Sequence, residues 1–211
     1  MPELCDGRMF EMVRTRNAAA ADTPTRILDV AERLVQRRGF NGFSYADVAA
    51  ELKITTASLH YHFAGKAALG KALVARYADR FSGALDAIYT RLPGARPRLQ
   101  AYANLYAAVL RERRLCLCGM LAAEYHTLPK PMRDSVIRFF DENEAWLVRV
   151  LEEGRDAGDL QFTGSPGEAA RMIVCGLEGA MLVARPYGDV TRFQSAAEQL
   201  LAGLGPKATV A

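Results

Sequence analysis

The sequence predicts an all-α protein, in which a small N-terminal three-helix unit is attached to a larger helical body, with about nine helices in total. From Thr23 onward, apolar residues recur three and four positions apart. Glycine and proline mark the breaks between these segments, and no stretch alternates apolar and polar residues as a strand would. Half of the 211 residues are hydrophobic and 24% are charged. This composition supports a sizeable core and excludes a disordered or fibrous chain.

The first two helices are predicted from their end signals. Thr23 followed by Pro24 is typical of an N-cap with proline at the first helical position, and Gly39 ends the apolar pattern. Ser44 and Asp47 then have the spacing of a capping box. The second helix is therefore expected to begin at Ser44 and to end near residue 52.

A third short helix follows after a tight connection. Thr55 is its expected cap, and Leu59 and Phe63 lie four positions apart, so both are expected in the core. Lys66 begins a long helix that runs to about residue 90. Later helices are predicted at about 97–112, 116–126, 131–157, 166–185 and 190–203.

Two short helices joined by a tight turn and packed on a first helix indicate a helix-turn-helix. In such a unit the second short helix inserts its outer face into the major groove of DNA. Thr56, Ala57 and Ser58 are small or polar, as a close approach requires, and His60 and Tyr61 can reach bases or phosphates. Lys66 at the start of the next helix can contact a phosphate.

The stretch TRILDVAERLVQRRGFNGFSYADVAAELKITTASLHYHFAGKAAL resembles the N-terminal domain of the tetracycline-repressor-like (TetR) transcriptional regulators. The resemblance covers about residues 24–70 and implies a repressor that binds a double-stranded DNA operator as a homodimer. The family usually has tyrosine where this chain has His60. The DNA contacts implied by the resemblance are Ser44, Tyr45, Thr56, Ala57, Ser58, His60, Tyr61, His62 and Lys66.

The hydrophobic pattern along the chain, together with this resemblance, suggests a division into four parts. We expect a flexible N-terminal arm at 1–22 and a DNA-binding domain at 23–66. An effector-binding and dimerisation domain would span 67–205, and 206–211 would be a C-terminal tail.

The last two helices carry apolar and small residues on one face and form the predicted dimer surface. Within the family such helices are the usual interface; the alternative is that the same residues form the core of one protomer. The predicted interface residues are Met172, Gly176, Gly179, Ala180, Val183, Phe193, Ala197, Leu200 and Leu201.

The central helices are expected to enclose an unknown small-molecule effector. Aromatic and methionine residues at helical spacing also occur simply as core, so both interpretations stay open. The effector candidates, chosen by their chemistry, are Tyr102, Tyr106, Met120, Tyr125, His126, Trp146 and Cys175.

Cys116 and Cys118 allow three interpretations. They can be small buried residues, a redox or electrophile switch, or a metal site together with His126. The surrounding segment resembles a TetR subgroup that includes the N-ethylmaleimide-responsive repressor, and a thiol at a helix start after two arginines would have a lowered pKa. A Cys-x-Cys pair with one distant histidine is an incomplete ligand set by spacing alone.

Composition and motifs limit the functional classes to which the protein can belong. The net charge of +3 neither demands nor excludes a nucleic-acid partner. For the DNA binding that the resemblance implies, we expect a few placed contacts and a modest salt dependence. No catalytic triad, phosphate loop or zinc-protease motif occurs, so we expect neither an enzyme nor a cofactor. A helical interaction module without DNA binding is the remaining alternative. With neither a long apolar run nor a signal-peptide pattern, a cytoplasmic protein away from membranes is expected.

Overall fold

The computed structural model describes residues 22–205, and within this range the chain forms nine α-helices and no β-strand. The all-α prediction is confirmed. Two short 3₁₀ turns, Tyr125–Thr127 and Arg185–Tyr187, follow the sixth and eighth helices. The helices are α1 (Thr23–Arg38), α2 (Tyr45–Leu52), α3 (Thr56–His62), α4 (Lys66–Arg91), α5 (Ala95–Arg111), α6 (Leu117–Ala123), α7 (Lys130–Asp156), α8 (Pro166–Ala184) and α9 (Val190–Ala202).

The ends of the first three helices follow local side-chain chemistry. Ser44 and Asp47 form the predicted capping box of α2, and the Thr55 hydroxyl accepts a hydrogen bond from the Ser58 N–H at the start of α3. The cap of α1 differs from the prediction, because Asp22 accepts from the Thr25 N–H and Thr23 is already helical. Aspartate and threonine both cap well, so their adjacency left the position ambiguous.

The described residues form two compact units. The first contains residues 22–81 and 114–139, and the second contains 82–113 and 140–205. Both α4 and α7 therefore contribute to both units. This division follows compactness and differs from the predicted boundary between 23–66 and 67–205, which stays a prediction. The predicted arm, apart from Asp22, and the predicted tail lie outside the described residues.

In the first unit α1 packs on α2 and α6, and α2 packs on α3. Ile27, Val48 and Leu59 are fully buried at these contacts, in agreement with the apolar pattern. Phe63 is only half-buried, contrary to the expectation of a core residue. It is the C-cap of α3 and has an extended backbone, so its side chain leaves the helical face that Leu59 occupies.

In the second unit α9 packs on α8 and α5. Phe193 and Ala197 lie on the inward face of α9 and are almost completely buried. A Cβ atom at Gly176 would lie 2.7 Å from Leu200 Cδ2, so this glycine lets α8 and α9 of the same protomer approach closely. Within residues 22–205, none of the helices has the length and apolarity needed to cross a membrane.

Candidate nucleic-acid interface

The outer face of α3 presents its predicted reading residues to solvent. Thr56, Ala57, His60 and Tyr61 are all exposed, and they share one face because they lie three and four positions apart. Leu59 points the other way and is fully buried. Tyr61 is 86% exposed, which is unusual for a large aromatic residue in a folded domain.

The flanks of this face are held by aromatic contacts. The rings of Tyr45 and His60 lie 4.8 Å apart, and the rings of Tyr61 and His62 meet edge to face at 5.1 Å. The Tyr45 hydroxyl donates to the Phe63 carbonyl at 3.0 Å, and burial raises the pKa of this hydroxyl. Tyr45 is therefore half-buried and links α2 to the end of α3 rather than projecting into solvent.

The start of α2 is fixed by Asp47. The Asp47 carboxylate accepts from both the N–H and the hydroxyl of Ser44, at 2.7 and 2.5 Å. These hydrogen bonds, with a smaller effect from Arg38, lower the pKa of Asp47. Ser44 is exposed, but its hydroxyl is already engaged in the cap.

Lys66 occupies a different environment from the one predicted. Its ammonium group donates to the Phe43 carbonyl and lies 4.8 and 4.5 Å above the rings of Phe40 and Phe43. Burial lowers its pKa, and the nearby carboxylates of Glu124 and Asp47 partly oppose that effect. Lys66 therefore holds Phe43, the residue just before the N-cap of α2. Its predicted phosphate contact stays a prediction.

The cysteine segment is buried against α1. Cys116 and Cys118 are 1% and 0% exposed, and the Tyr77 hydroxyl contacts the Cys116 Sγ at 3.6 Å. His126 is exposed instead. No group of three potential metal-binding side chains exists within residues 22–205, so the metal site proposed for Cys116, Cys118 and His126 does not form.

The predicted effector residues separate into different environments. Tyr102, Tyr106 and Trp146 are brought together in the second unit and are buried. Met120 and Tyr125 are half-buried and His126 is exposed, all in the first unit, whereas Cys175 is exposed on α8. The seven residues, which were chosen by their chemistry, are therefore distributed over both units.

The predicted dimer residues also divide. Met172, Gly179 and Val183 of α8 are exposed, and Ala180, Leu200 and Leu201 are half-buried. Phe193 and Ala197 belong to the protomer core, so these two are wrong as surface residues. Gly176 is half-buried and faces Leu200 of its own chain, and its place in a dimer interface stays a prediction. An apolar pattern identifies a buried face but does not identify its partner.

A contact to the turn between α1 and α2 was missed. Glu124, at the end of α6, accepts hydrogen bonds from the backbone N–H groups of Phe40 and Asn41, the second at 3.2 Å. These residues are more than eighty positions apart in sequence. Gly39 beside a turn was visible in the sequence, but no local signal identifies the carboxylate that binds there.

The fold, with an exposed polar face on α3 braced by a capped α2, defines a helix-turn-helix DNA-binding regulator. The profile described as "Bacterial regulatory proteins, tetR family" matches residues 27–73. The profile described as "Tetracyclin repressor-like, C-terminal domain" matches residues 95–200. The chain belongs to the TetR family, and it is a transcriptional regulator rather than an enzyme.

Individual relatives agree with this assignment. A TetR-family regulator from Agrobacterium tumefaciens has a TM-score of 0.84 at 30% identity, covering 87% of this chain and 97% of that chain. A TetR regulator from Legionella pneumophila has a TM-score of 0.81 at 31% identity, covering 88% and 99%. The HTH-type transcriptional repressor NemR of Escherichia coli K12 is 28% identical, over 78% of this chain and 84% of NemR.

Proposed function

We propose that this regulator is a cytoplasmic homodimeric repressor, which binds a palindromic operator through α3 and is released by a small-molecule effector. The observation that carries the proposal is the exposed α3 face of Thr56, Ala57, His60 and Tyr61. A two-fold dimer presents two such helices, and each reads one half-site in the major groove. The operator is therefore expected to be a palindrome.

The surface of α8 supports the dimer. Met172, Leu182 and Val183 are 64%, 59% and 64% exposed, and Cys175 and Gly179 are also exposed. These five residues, which we call the α8 stripe, lie on one side of the helix because their spacing follows the helical repeat. A contiguous apolar surface of this kind typically marks a protein interface.

The aromatic cluster of the second unit supports the effector site. Tyr102 stacks on Trp146 with ring centroids 5.7 Å apart, and the Tyr102 and Tyr106 hydroxyls lie 3.0 Å apart. Tyr102 also donates to Asn143 at 3.2 Å, and the Trp146 indole N–H is buried without a hydrogen-bond partner. Buried indole N–H groups usually have a partner, so an effector with a hydrogen-bond acceptor suits this cluster.

A thiol sensor built on Cys116 is the second candidate. It is favoured by the contact between Cys116 and the Tyr77 hydroxyl, which joins the cysteine to α4. It is opposed by the burial of the Cys116 thiol, because a reagent can reach such a thiol only after local opening. If the thiol is the sensor, Cys116→Ser abolishes release by oxidants. If the aromatic cluster is the sensor, Cys116→Ser is still released from DNA as the wild-type protein is.

The proposal is tested by selecting duplexes from a randomised DNA library with the purified protein. The expected result is a palindromic consensus bound by two protomers, measured by sequencing and by the mass of the complex. A consensus bound by a single protomer would contradict the dimer, and the recovery of no consensus would contradict the operator proposal.

A further inference from the structure

The turn between α1 and α2 is held by a segment that lies far along the chain. The Glu124 carboxylate accepts from the N–H groups of Phe40 and Asn41, and the Asn41 side-chain amide donates to the Thr127 hydroxyl at 2.6 Å. The Thr127 hydroxyl in turn donates to the Glu124 carbonyl at 2.8 Å. The end of α6 and the following 3₁₀ turn therefore bind three groups on the turn between α1 and α2.

The backbone at Gly39 is shaped for this carboxylate. Gly39 has φ +83°, and a Cβ atom there would lie 2.6 Å from Glu124 Oε1. Only glycine adopts this conformation readily and leaves that space empty. Successive backbone N–H groups that converge in this way form a small anion-binding concavity, and here the anion is a side chain of the same protein.

A second contact joins the start of the same segment to α1. The Leu115 N–H donates to the Gln36 carbonyl at 3.2 Å, and the Arg114 guanidinium donates to the Gln36 side-chain oxygen at 3.1 Å. Residues 114–127, which we call the α6 segment, therefore contact α1 and its following turn at both ends. The segment also contains the buried Cys116 and Cys118.

Glu124 also acts electrostatically on the approach to α2. Its negative charge raises the pKa of Lys66, against the larger lowering effect of burial. Lys66 binds the carbonyl of Phe43, the residue before the α2 cap. One carboxylate therefore influences both the beginning and the end of the loop from Gly39 to Ser44.

We propose that Glu124 is a positioning residue for DNA binding, although it lies in the C-terminal region and outside the α3 face. By binding the Phe40 and Asn41 amides it fixes the turn on which α2 begins, and α3 packs on α2. Withdrawal of the carboxylate would leave the Phe40 and Asn41 N–H groups without their acceptor and would release α2 and α3 from their position.

The test compares Glu124→Ala with a matched control, Glu168→Ala. Glu168 also accepts a backbone N–H, from Ser165 at 2.7 Å at the start of α8, so both variants lose the same kind of bond. Each is measured as a dimer, well below its unfolding temperature, against the selected duplex and against a random duplex of equal length. Amide hydrogen exchange at Phe40 and Asn41 is measured without DNA.

The expected result for Glu124→Ala is an affinity about tenfold lower for the selected duplex, an unchanged affinity for the random duplex and faster exchange at both amides. Glu124→Gln retains an acceptor oxygen and should recover part of the loss. Glu168→Ala should change neither affinity by more than about twofold. The proposal is overturned if Glu124→Ala binds the selected duplex like wild type, or if both affinities fall in parallel. The proposal for Glu124 rests on DNA binding by α3. If the wild-type protein selects no duplex, the proposed DNA-binding function has failed, and the role of Glu124 has not been the cause.

Discussion

The ammonium group of Lys66 donates a hydrogen bond to the carbonyl of Phe43 and lies 4.5 Å above the Phe43 ring. This contact ties the start of α4 to the residue before the α2 cap. A lysine that begins the helix after a helix-turn-helix can contact a DNA phosphate. Here, however, the Lys66 ammonium group binds a main-chain carbonyl within the protein. Lys66 therefore supports the start of α2, and its phosphate contact stays a separate prediction.

Replacing this lysine should destabilise the protein. Lys66→Met keeps the apolar stem but removes the donor to Phe43, and the free energy of unfolding should fall by about 1–2 kcal/mol. Urea unfolding measures the change. Lys71→Met, at an exposed position of the same helix, is the control and should differ from wild type by less than about 0.5 kcal/mol. Equal stability of the two variants would show that the Phe43 contact contributes nothing.

The link between α1 and α4 depends on a buried carboxylate. Glu32 is 6% exposed and accepts hydrogen bonds from Arg76 at 3.0 Å and from Arg80 at 2.5 Å. Glu32→Gln leaves two arginines facing a neutral group, and we expect a loss of about 3 kcal/mol, since both arginines remain partly hydrated. Asp29→Asn removes only the exposed partner of Arg76 and should lose less than about 1 kcal/mol. Similar losses of stability in the two variants would contradict the claim that the buried Glu32 carboxylate holds the link between α1 and α4.

The cap of α2 should make stability depend on pH in the acid range. Hydrogen bonds from Ser44 lower the pKa of Asp47 from its ordinary 3.8. A lowered pKa in the folded state means that this contribution is complete above pH 3.8 and is lost as the pH falls through the folded value. Asp47→Asn should therefore show a shallower decrease in unfolding free energy below pH 3.8.

Urea titrations at several pH values measure this slope. The wild-type protein, titrated in parallel, is the comparison. An Asp47→Asn protein with the same acid slope as wild type would show that the capping box does not titrate in this way.

The proposed dimer depends on the α8 stripe. Val183→Glu places a charge on an apolar surface that the dimer would bury, and an unpaired buried charge is strongly unfavourable. Sedimentation should show a monomer where the wild type is a dimer, with unchanged helix content. Ile137→Glu, at an exposed apolar residue of the first unit, should remain a dimer. A dimeric Val183→Glu protein would exclude this stripe as the interface.

Local chemistry determines how far the sequence predicts this molecule. The Ser44–Asp47 capping box and the Thr55 cap depend on residues three apart, so their spacing in the sequence is sufficient. The segments that lie between the glycine and proline breaks also form helices, with ends close to the predicted bounds. Even here the cap of α1 was displaced by one residue, because Asp22 is as good a cap as Thr23.

The remaining features depend on contacts across the chain. The Glu124 carboxylate reaches amides more than eighty residues away, and no periodicity encodes such a pair. Phe193 and Ala197 have the apolar character that an interface needs, but α9 buries them within its own protomer. The sequence therefore predicts which faces are apolar or polar, and tertiary packing decides what each face contacts.

The central claim is that the exposed face of α3 binds operator DNA, and Tyr61→Ala tests it most directly. The measurement is the affinity of the dimer for the duplex selected by the wild type. Tyr187→Ala, which truncates a 61% exposed tyrosine of the second unit, is the control. We predict that Tyr61→Ala weakens binding about tenfold or more, since a well-placed base contact contributes about 1–3 kcal/mol, and that Tyr187→Ala binds as wild type does. A Tyr61→Ala dimer that binds the duplex with wild-type affinity would contradict the account.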